Sequence, residues 1–330
     1  MRKIPLIKPV ITQELKDRVC QVLDSGYLTE GPVTKEFERR VAGYVGAAHA
    51  LAVTSCTTGL ELALRCLGIG PGDEVIVPDY TYPATADVVM LLGATCVIVD
   101  VDPRTMLMSW TALEKAVTPR TKAVMPVSIF GNPVDADKLA ALKAKHGFFT
   151  VEDAACSLGA EFGGKRVGSL ADMTVFSFHP RKFITTGEGG MVLTDNAEWA
   201  AWMESYKHFG MGPSATREGT SFMRVGTNYK LSNVLAAIGL AQMDMADELL
   251  AERRALAARY DHLLAAVPGI ILPTTTHGGR HSYQSYIVFT QERDRILGSM
   301  RAKGVEVQIG TYSLHMHEAF QNTPLCRIEG

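Results

Sequence analysis

Residues 49–82 read HALAVTSCTTGLELALRCLGIGPGDEVIVPDYTY, and the order of patterns in that stretch decides the fold. Ala50–Val53 is a short apolar run. Thr54-Ser55-Cys56-Thr57-Thr58-Gly59 then opens a helical pattern over Gly59–Leu67. Gly70-Pro71-Gly72-Asp73 interrupts the chain, and Glu74–Val77 is apolar again. Strand-length runs on either side of a helix-length pattern, punctuated by Gly and Pro, predict a strand–helix–strand unit. The alternation continues outward through the runs Cys96–Val99, Ala123–Val127 and Phe149–Val151. Between them lie the helical patterns Ala84–Leu92, Thr111–Ala116 and Asp137–His146. Repetition of this unit predicts an α/β fold with a mostly parallel sheet covered on both faces. Met173–Ser177 and Met191–Thr194 bracket a Gly-rich stretch and read as an added pair in the same sheet.

Asn233 to Arg259 reads as one long helical region. After Pro268 the pattern restarts, with strands expected at Tyr283–Phe289 and Val305–Ile309 around a helix at Arg293–Lys303. A domain change is therefore expected near residue 245. The 330 residues carry 33 Lys plus Arg against 35 Asp plus Glu, a net charge of -2. That balance excludes a strongly basic nucleic-acid binder and gives no polybasic membrane signal. Six scattered cysteines without a C-x-x-C pair argue against a zinc site or a disulfide framework. Reduced thiols fit a cytoplasmic protein. The first ten residues lack the apolar core of a secretory signal. No apolar run reaches the ~18 residues a membrane helix needs.

The polar residues cluster where strands end. In open α/β sheets, ligands bind beyond the carboxyl ends of the strands. Thr54–Gly59 supplies hydroxyls and backbone N–H groups at a helix start, which is either a phosphate site or an ordinary N-cap. Glu74–Val77 runs into Pro78-Asp79-Tyr80-Thr81-Tyr82. Asp153 follows an apolar strand, so its carboxylate is expected to be partly buried and to need a cationic partner, unless it caps the next helix. Lys182, within Ser177-Phe178-His179-Pro180-Arg181-Lys182 and ahead of Gly187-Glu188-Gly189-Gly190, is either a Schiff-base nucleophile or a solvated surface charge. A phosphate cradle, a buried carboxylate, an aromatic and a lysine on one rim are together the parts that pyridoxal phosphate requires. His315 and His317 stand two residues apart without a third ligand in view, so no metal site is expected.

The chain resembles the nucleotide-sugar aminotransferase family, the DegT/DnrJ/StrS type of fold-type I pyridoxal-phosphate enzymes. The resemblance rests on Gly26–Pro32, Pro71–Tyr82, Val151–Ala155, Ser177–Gly190 and Gly226–Ser232, which stand in family order and span essentially the whole chain. It implies a large domain, residues 1–245, built on a mostly parallel seven-stranded sheet between helices. A smaller C-terminal α+β domain, residues 246–330, is expected to be incomplete, because the family's chains usually run several dozen residues further. The resemblance further implies transfer of an amino group from Glu or Gln to a nucleotide-linked keto-sugar. Lys182 matches the lysine of the internal aldimine, which gives way to pyridoxamine phosphate during turnover. Asp153 matches the carboxylate paired with the pyridine nitrogen, and Tyr82 the aromatic that stacks on the ring.

Cys56, Thr57 and Ser177 match phosphate-binding positions by the same resemblance. Asn228 matches an asparagine that reaches the cofactor of a neighbouring subunit, which implies a homodimer with shared sites. Tyr27, Thr29 and His315 match positions near the substrate. Two residues depart from the family pattern. Cys56 stands where glycine is usual, and Cys156 where Gln or His is common. Two rival readings are a sugar dehydratase, which carries histidine in place of the lysine, and a non-catalytic cofactor-binding regulator. Lys182 argues against the first, and Lys182 with Asp153 against the second.

Overall fold

The computed structural model describes residues 3–213, 216 and 218–329. Its strands are β1 (His49–Val53), β2 (Glu74–Pro78), β3 (Tyr80–Thr81), β4 (Thr95–Val99), β5 (Thr121–Val124), β6 (Phe149–Asp153), β7 (Glu161–Phe162), β8 (Lys165–Arg166), β9 (Met173–Ser177), β10 (Gly190–Thr194), β11 (Gly279–Arg280), β12 (Tyr312–Ser313) and β13 (Cys326–Glu329). Eight of them form one sheet in the order β1-β10-β9-β6-β5-β2-β4-β13. Only β10 runs against the others; β1 is antiparallel to β10 and so parallel to the rest. The expected seven strands are all present. The eighth is Cys326–Glu329, which pairs in parallel with β4 at the edge. The end of the described chain thus returns to the large sheet.

Side-chain alternation shows why both faces are covered. Val175 and Val192 pack with Val53, Leu60 and Leu64 beneath helix Cys56–Cys66. Their strand neighbours Phe176, Met191 and Leu193 point the other way, onto Phe37, Val41 and Val45 of helix Pro32–Val45. A sheet buried on both sides needs strands that are apolar throughout, and β2 is buried at every residue. Helix Pro32–Val45 starts on Pro32 and stops at Gly46, whose φ of 81° is left-handed.

The C-terminal region departs from expectation. The long helix expected over Asn233–Arg259 is two helices, Asn233–Met243 and Ala246–Leu264, separated at Asp244 and Met245. Neither Tyr283–Phe289 nor Val305–Ile309 forms a strand. Phe289 exchanges a single pair of backbone hydrogen bonds with Ile271, and Val305 takes part in one isolated bridge, to Ile4. Tyr283 has φ of 50°, which breaks the extended backbone at the start of its segment. β-Branched runs without a second strand beside them cannot build a ladder. The helix between them is present as Arg293–Ala302. Among the described residues no helix is long and apolar enough to cross a membrane.

A buried ion network locks β1 to helix Pro32–Val45. Lys207 is fully buried. Its ammonium lies 3.1 Å from Glu30 and 3.2 Å from both Glu38 and Glu204, and donates to the Ala52 carbonyl at 3.1 Å. Glu38 also accepts the Ala52 N–H at 2.7 Å. Lys35 shares the same three carboxylates. Glu30, Glu204 and His208 lie close enough to suggest a cation site, but the two ammonium groups already hold the carboxylates. Removing one partner from such a network leaves an uncompensated charge. Lys207→Met is expected to cost roughly 3–5 kcal/mol, read as a lower urea midpoint with an unchanged slope. An unmoved midpoint would mean the pairing contributes nothing net.

Candidate active site

β1, β2, β6 and β9 run in the same direction, so their carboxyl ends share one edge of the sheet. At or just past those ends lie Thr54–Cys56, Asp79–Tyr82, Asp153 and Ser177. Asp153 is 4% exposed. Its Oδ2 accepts the Thr85 hydroxyl at 2.7 Å and its Oδ1 the Ala155 N–H at 3.1 Å. Thr81 lies 3.0 Å behind Thr85. Burial pushes the Asp153 carboxyl above its usual range; Thr85, the Ala155 N–H and the nearby Lys182 charge oppose this. Among the described residues, no ammonium or guanidinium is paired with it. A buried carboxylate whose hydrogen bonds come from neutral groups is suited to a cationic partner.

Lys182 follows β9 in the loop to β10. Its Nζ is 3.2 Å from the Cys156 thiol. Burial acts to lower the Lys182 ammonium, but Cys156, Cys56 and Asp153 outweigh it and hold the group above its ordinary value. The Cys56 sulfur is 4.0 Å from Asp153 Oδ1, and burial together with that carboxylate pushes the thiol well up. Asp153, Lys182, Cys56 and Cys156 therefore form one electrostatic unit. Ser177 lines the same small cavity as Lys182 and Cys156.

Cys56 begins helix Cys56–Cys66. Ser55 and Thr58 cap it reciprocally, each side chain taking the other's N–H at 3.1 and 3.0 Å. The Cys56 and Thr57 N–H groups, in the first turn, have no intrahelical acceptor, and N–H groups so placed suit an anion. Gly190 makes this turn possible. A Cβ there would lie 2.5 Å from Ser55 O and 2.7 Å from Cys56 N. Carboxylate, amine, hydroxyl and helix start together suit pyridoxal phosphate: a cation site for its ring nitrogen, an amine for its aldehyde and N–H groups for its phosphate.

The remaining expected residues divide. Tyr82 stands at the rim, 64% exposed, with its ring centroid 6.4 Å from that of Tyr312. His315 arrives from far along the chain because β12 pairs with β3. Asp79 holds it twice, through the backbone N–H at 2.8 Å and Nδ1 at 2.7 Å. Tyr27 and Thr29 are exposed, on a loop whose carbonyls accept from Asn233 at 2.9 and 3.3 Å. Asn228 is exposed and accepts the Lys230 N–H at 3.4 Å. Within one chain neither Asn228 nor Tyr27 nor Thr29 bonds to Asp153 or Lys182.

Sequence reasoning missed Thr85, Asp79 and Glu152. Asp79 was visible as part of a strand-end cluster. Thr85 reads as an ordinary first-turn helix residue, and nothing near it in sequence names Asp153 as its partner. Glu152 adjoins Asp153 on β6 but faces the opposite side. It is buried and accepts the Ser128 hydroxyl. Burial, reinforced by Asp153 and opposed by Ser128, pushes its carboxyl up to about 7.

Residues 9–327 match the DegT/DnrJ/EryC1/StrS aminotransferase family. GDP-perosamine synthase of Caulobacter vibrioides is 40% identical over 321 residues, covering 95% of this chain and 86% of that protein. The structure of S. venezuelae DesV in complex with a ketimine intermediate superposes with a TM-score of 0.89 at 36% identity, covering 94% of this chain and 83% of that one. Spr1654 of Streptococcus pneumoniae, described as a sugar aminotransferase and solved in PMP form, superposes with a TM-score of 0.92 at 32% identity, covering 97% and 87%.

A raised carboxyl favours the folded state most at low pH. The Glu152 contribution is complete below its ordinary 4.5 and is lost as pH rises through about 7. Glu152→Gln removes that dependence. Its stability relative to the parent is expected to rise by about 3 kcal/mol between pH 4 and pH 8, in urea titrations at each pH. Parallel pH curves would show that Glu152 does not titrate in this range.

Proposed function

Because the chain belongs to the DegT/DnrJ/EryC1/StrS aminotransferase family, we propose that it transfers an amino group from Glu or Gln to a nucleotide-linked keto-sugar, using pyridoxal phosphate. The observation that carries this reading is the meeting on one rim of a buried Asp153 hydrogen-bonded by neutral groups and a Lys182 amine bonded to a thiol. Pyridoxal phosphate, when bound, supplies an aldehyde that accepts and returns the amino group and a ring that draws electrons from the reacting carbon. In this reading Asp153 Oδ keeps the ring nitrogen protonated. The Cys56 and Thr57 N–H groups and the Ser177 hydroxyl hold the phosphate, and Tyr82 offers an exposed aromatic face. Lys182 Nζ would hold the aldehyde and, when free, would take and give the reacting proton as general base and then acid.

The name of the Caulobacter relative supports a sugar nucleotide as acceptor. Tyr27, Thr29 and His315 would contact it, His315 with its ring fixed by Asp79. The large domain is taken to span 1–245 and the smaller one 246–330, apart from β13, which lies in the large sheet. Asn228 is proposed to act on the cofactor of a second subunit. Phe222, Met223 and Val225, 65%, 64% and 93% exposed in the single chain, support a partner surface beside it. All six cysteines are free, in keeping with a reducing cytoplasm.

Borohydride is expected to fix the cofactor to the peptide carrying Lys182; label on another lysine would sink the assignment. Asp153→Asn is expected to stay folded and to lose at least about 100-fold in kcat, by analogy with other removals of an electrostatic stabiliser. Enzyme loaded with the amine form of the cofactor should react in single turnover with keto-sugar nucleotides. Reaction with simple keto acids alone, or loss of a sugar hydroxyl without amine incorporation, would overturn the substrate class. Mixed dimers of Lys182→Ala and Asn228→Ala chains should regain activity that neither parent has; verified heterodimers without gain would count against a shared site.

A further inference from the structure

The proposed chemistry leaves the thiol beside Lys182 without a task. Cys156 sits in the turn after β6, three residues past Asp153, and both ends of its contact with Lys182 are anchored. Its carbonyl accepts the Ser282 hydroxyl at 3.3 Å, and the preceding Ala155 N–H is held by Asp153. On the other side, the Lys182 N–H donates to the His179 carbonyl at 2.8 Å, and Phe183 and Ile184 are buried behind it. Two pinned backbones therefore bring Sγ and Nζ to 3.2 Å inside one cavity. Cys56 from the helix start, Asp153 from β6 and Cys156 from the turn are the titratable groups facing Nζ; Gln284, which also lines the cavity, is neutral.

We propose that Cys156 is the positioning residue for Lys182: its thiol receives the amine whenever the amine is not bonded to cofactor, and parks it beside Asp153 between half-reactions. This rests on Lys182 being the cofactor lysine. A free lysine side chain has four rotatable bonds, and an amine that must meet a reacting carbon twice per cycle gains from a fixed resting place. A thiol suits that place. It accepts weakly from the amine. The contact holds the Lys182 ammonium above its ordinary value, and its loss makes Nζ a base at lower pH.

The test uses holoenzyme of the parent, Cys156→Ala and Cys156→Ser. Borohydride labelling of Lys182 is done first on each, so a failure of the cofactor reading is recognised separately. In Cys156→Ala, kcat is expected to fall roughly tenfold with KM nearly unchanged, and the acid limb of the kcat–pH profile to move to lower pH. Cys156→Ser should recover part of kcat, since a hydroxyl can hold the amine. The second readout is alkylation of the Cys156 peptide by iodoacetamide. Its rate should differ several-fold between the cofactor's amine form, where Lys182 rests on the thiol, and the enzyme in which borohydride has tied Lys182 to the cofactor. Equal alkylation rates in the two forms, or an unmoved acid limb in Cys156→Ala, overturns the proposal.

Discussion

The site depends on one costly placement, a carboxylate at the end of a fully covered strand. β6 lies between β5 and β9 with helices on both faces, so Asp153 has almost no access to water. Its bonds from Thr85 and Ala155 satisfy lone pairs but not charge. Such a group is tolerated when the surrounding packing over-determines it, and it then becomes a fixed negative potential aimed at whatever binds. Lys182 is close enough to feel that potential without sharing a hydrogen bond with it. A buried acceptor for a cation and a nearby amine are what the ring nitrogen and the aldehyde of pyridoxal phosphate would need.

The surroundings of that pair are held by elements far apart in sequence. The Ser55–Cys56 turn can rest on the start of β10 because Gly190 has no side chain. Ala52, two residues before Thr54, is gripped on both its N–H and its carbonyl by Glu38 and Lys207. Through Glu30 the same network reaches the loop that carries Tyr27 and Thr29. Through His208 it reaches Asn228, which bridges to it backbone to backbone. One buried cluster of charge thus sets the cofactor rim, the proposed substrate loop and the proposed partner-facing residue in a common frame.

The central sheet was legible because its strands are apolar on both faces and its helices announce themselves by caps and period. The rim was legible because parallel strands end on one side. What escaped has a common physical cause. Thr85 matters only through a hydrogen bond spanning 68 positions, and the Asp79 contact to His315 spans 236. Local pattern carries no trace of such pairs. The expected strands Tyr283–Phe289 and Val305–Ile309 failed for a related reason: β-propensity describes a residue that would suit a sheet, and whether a neighbour strand arrives is decided elsewhere. Conversely, Cys326–Glu329 is an unremarkable four-residue run until β4 lies beside it.

The two cysteines that the resemblance marks as departures from the family pattern border the Asp153–Lys182 pair. Cys56 stands 4.0 Å from the carboxylate and Cys156 3.2 Å from the amine. Glycine at the first position would expose more backbone, and Gln or His at the second would supply a strong hydrogen-bonding group. Thiols do neither; they are small, weakly polar and well matched to a dry interior. With fewer strong dipoles nearby, the Asp153 charge is screened less and its attraction for a bound cation is stronger. The same dryness leaves the free Lys182 amine with a thiol as its nearest partner.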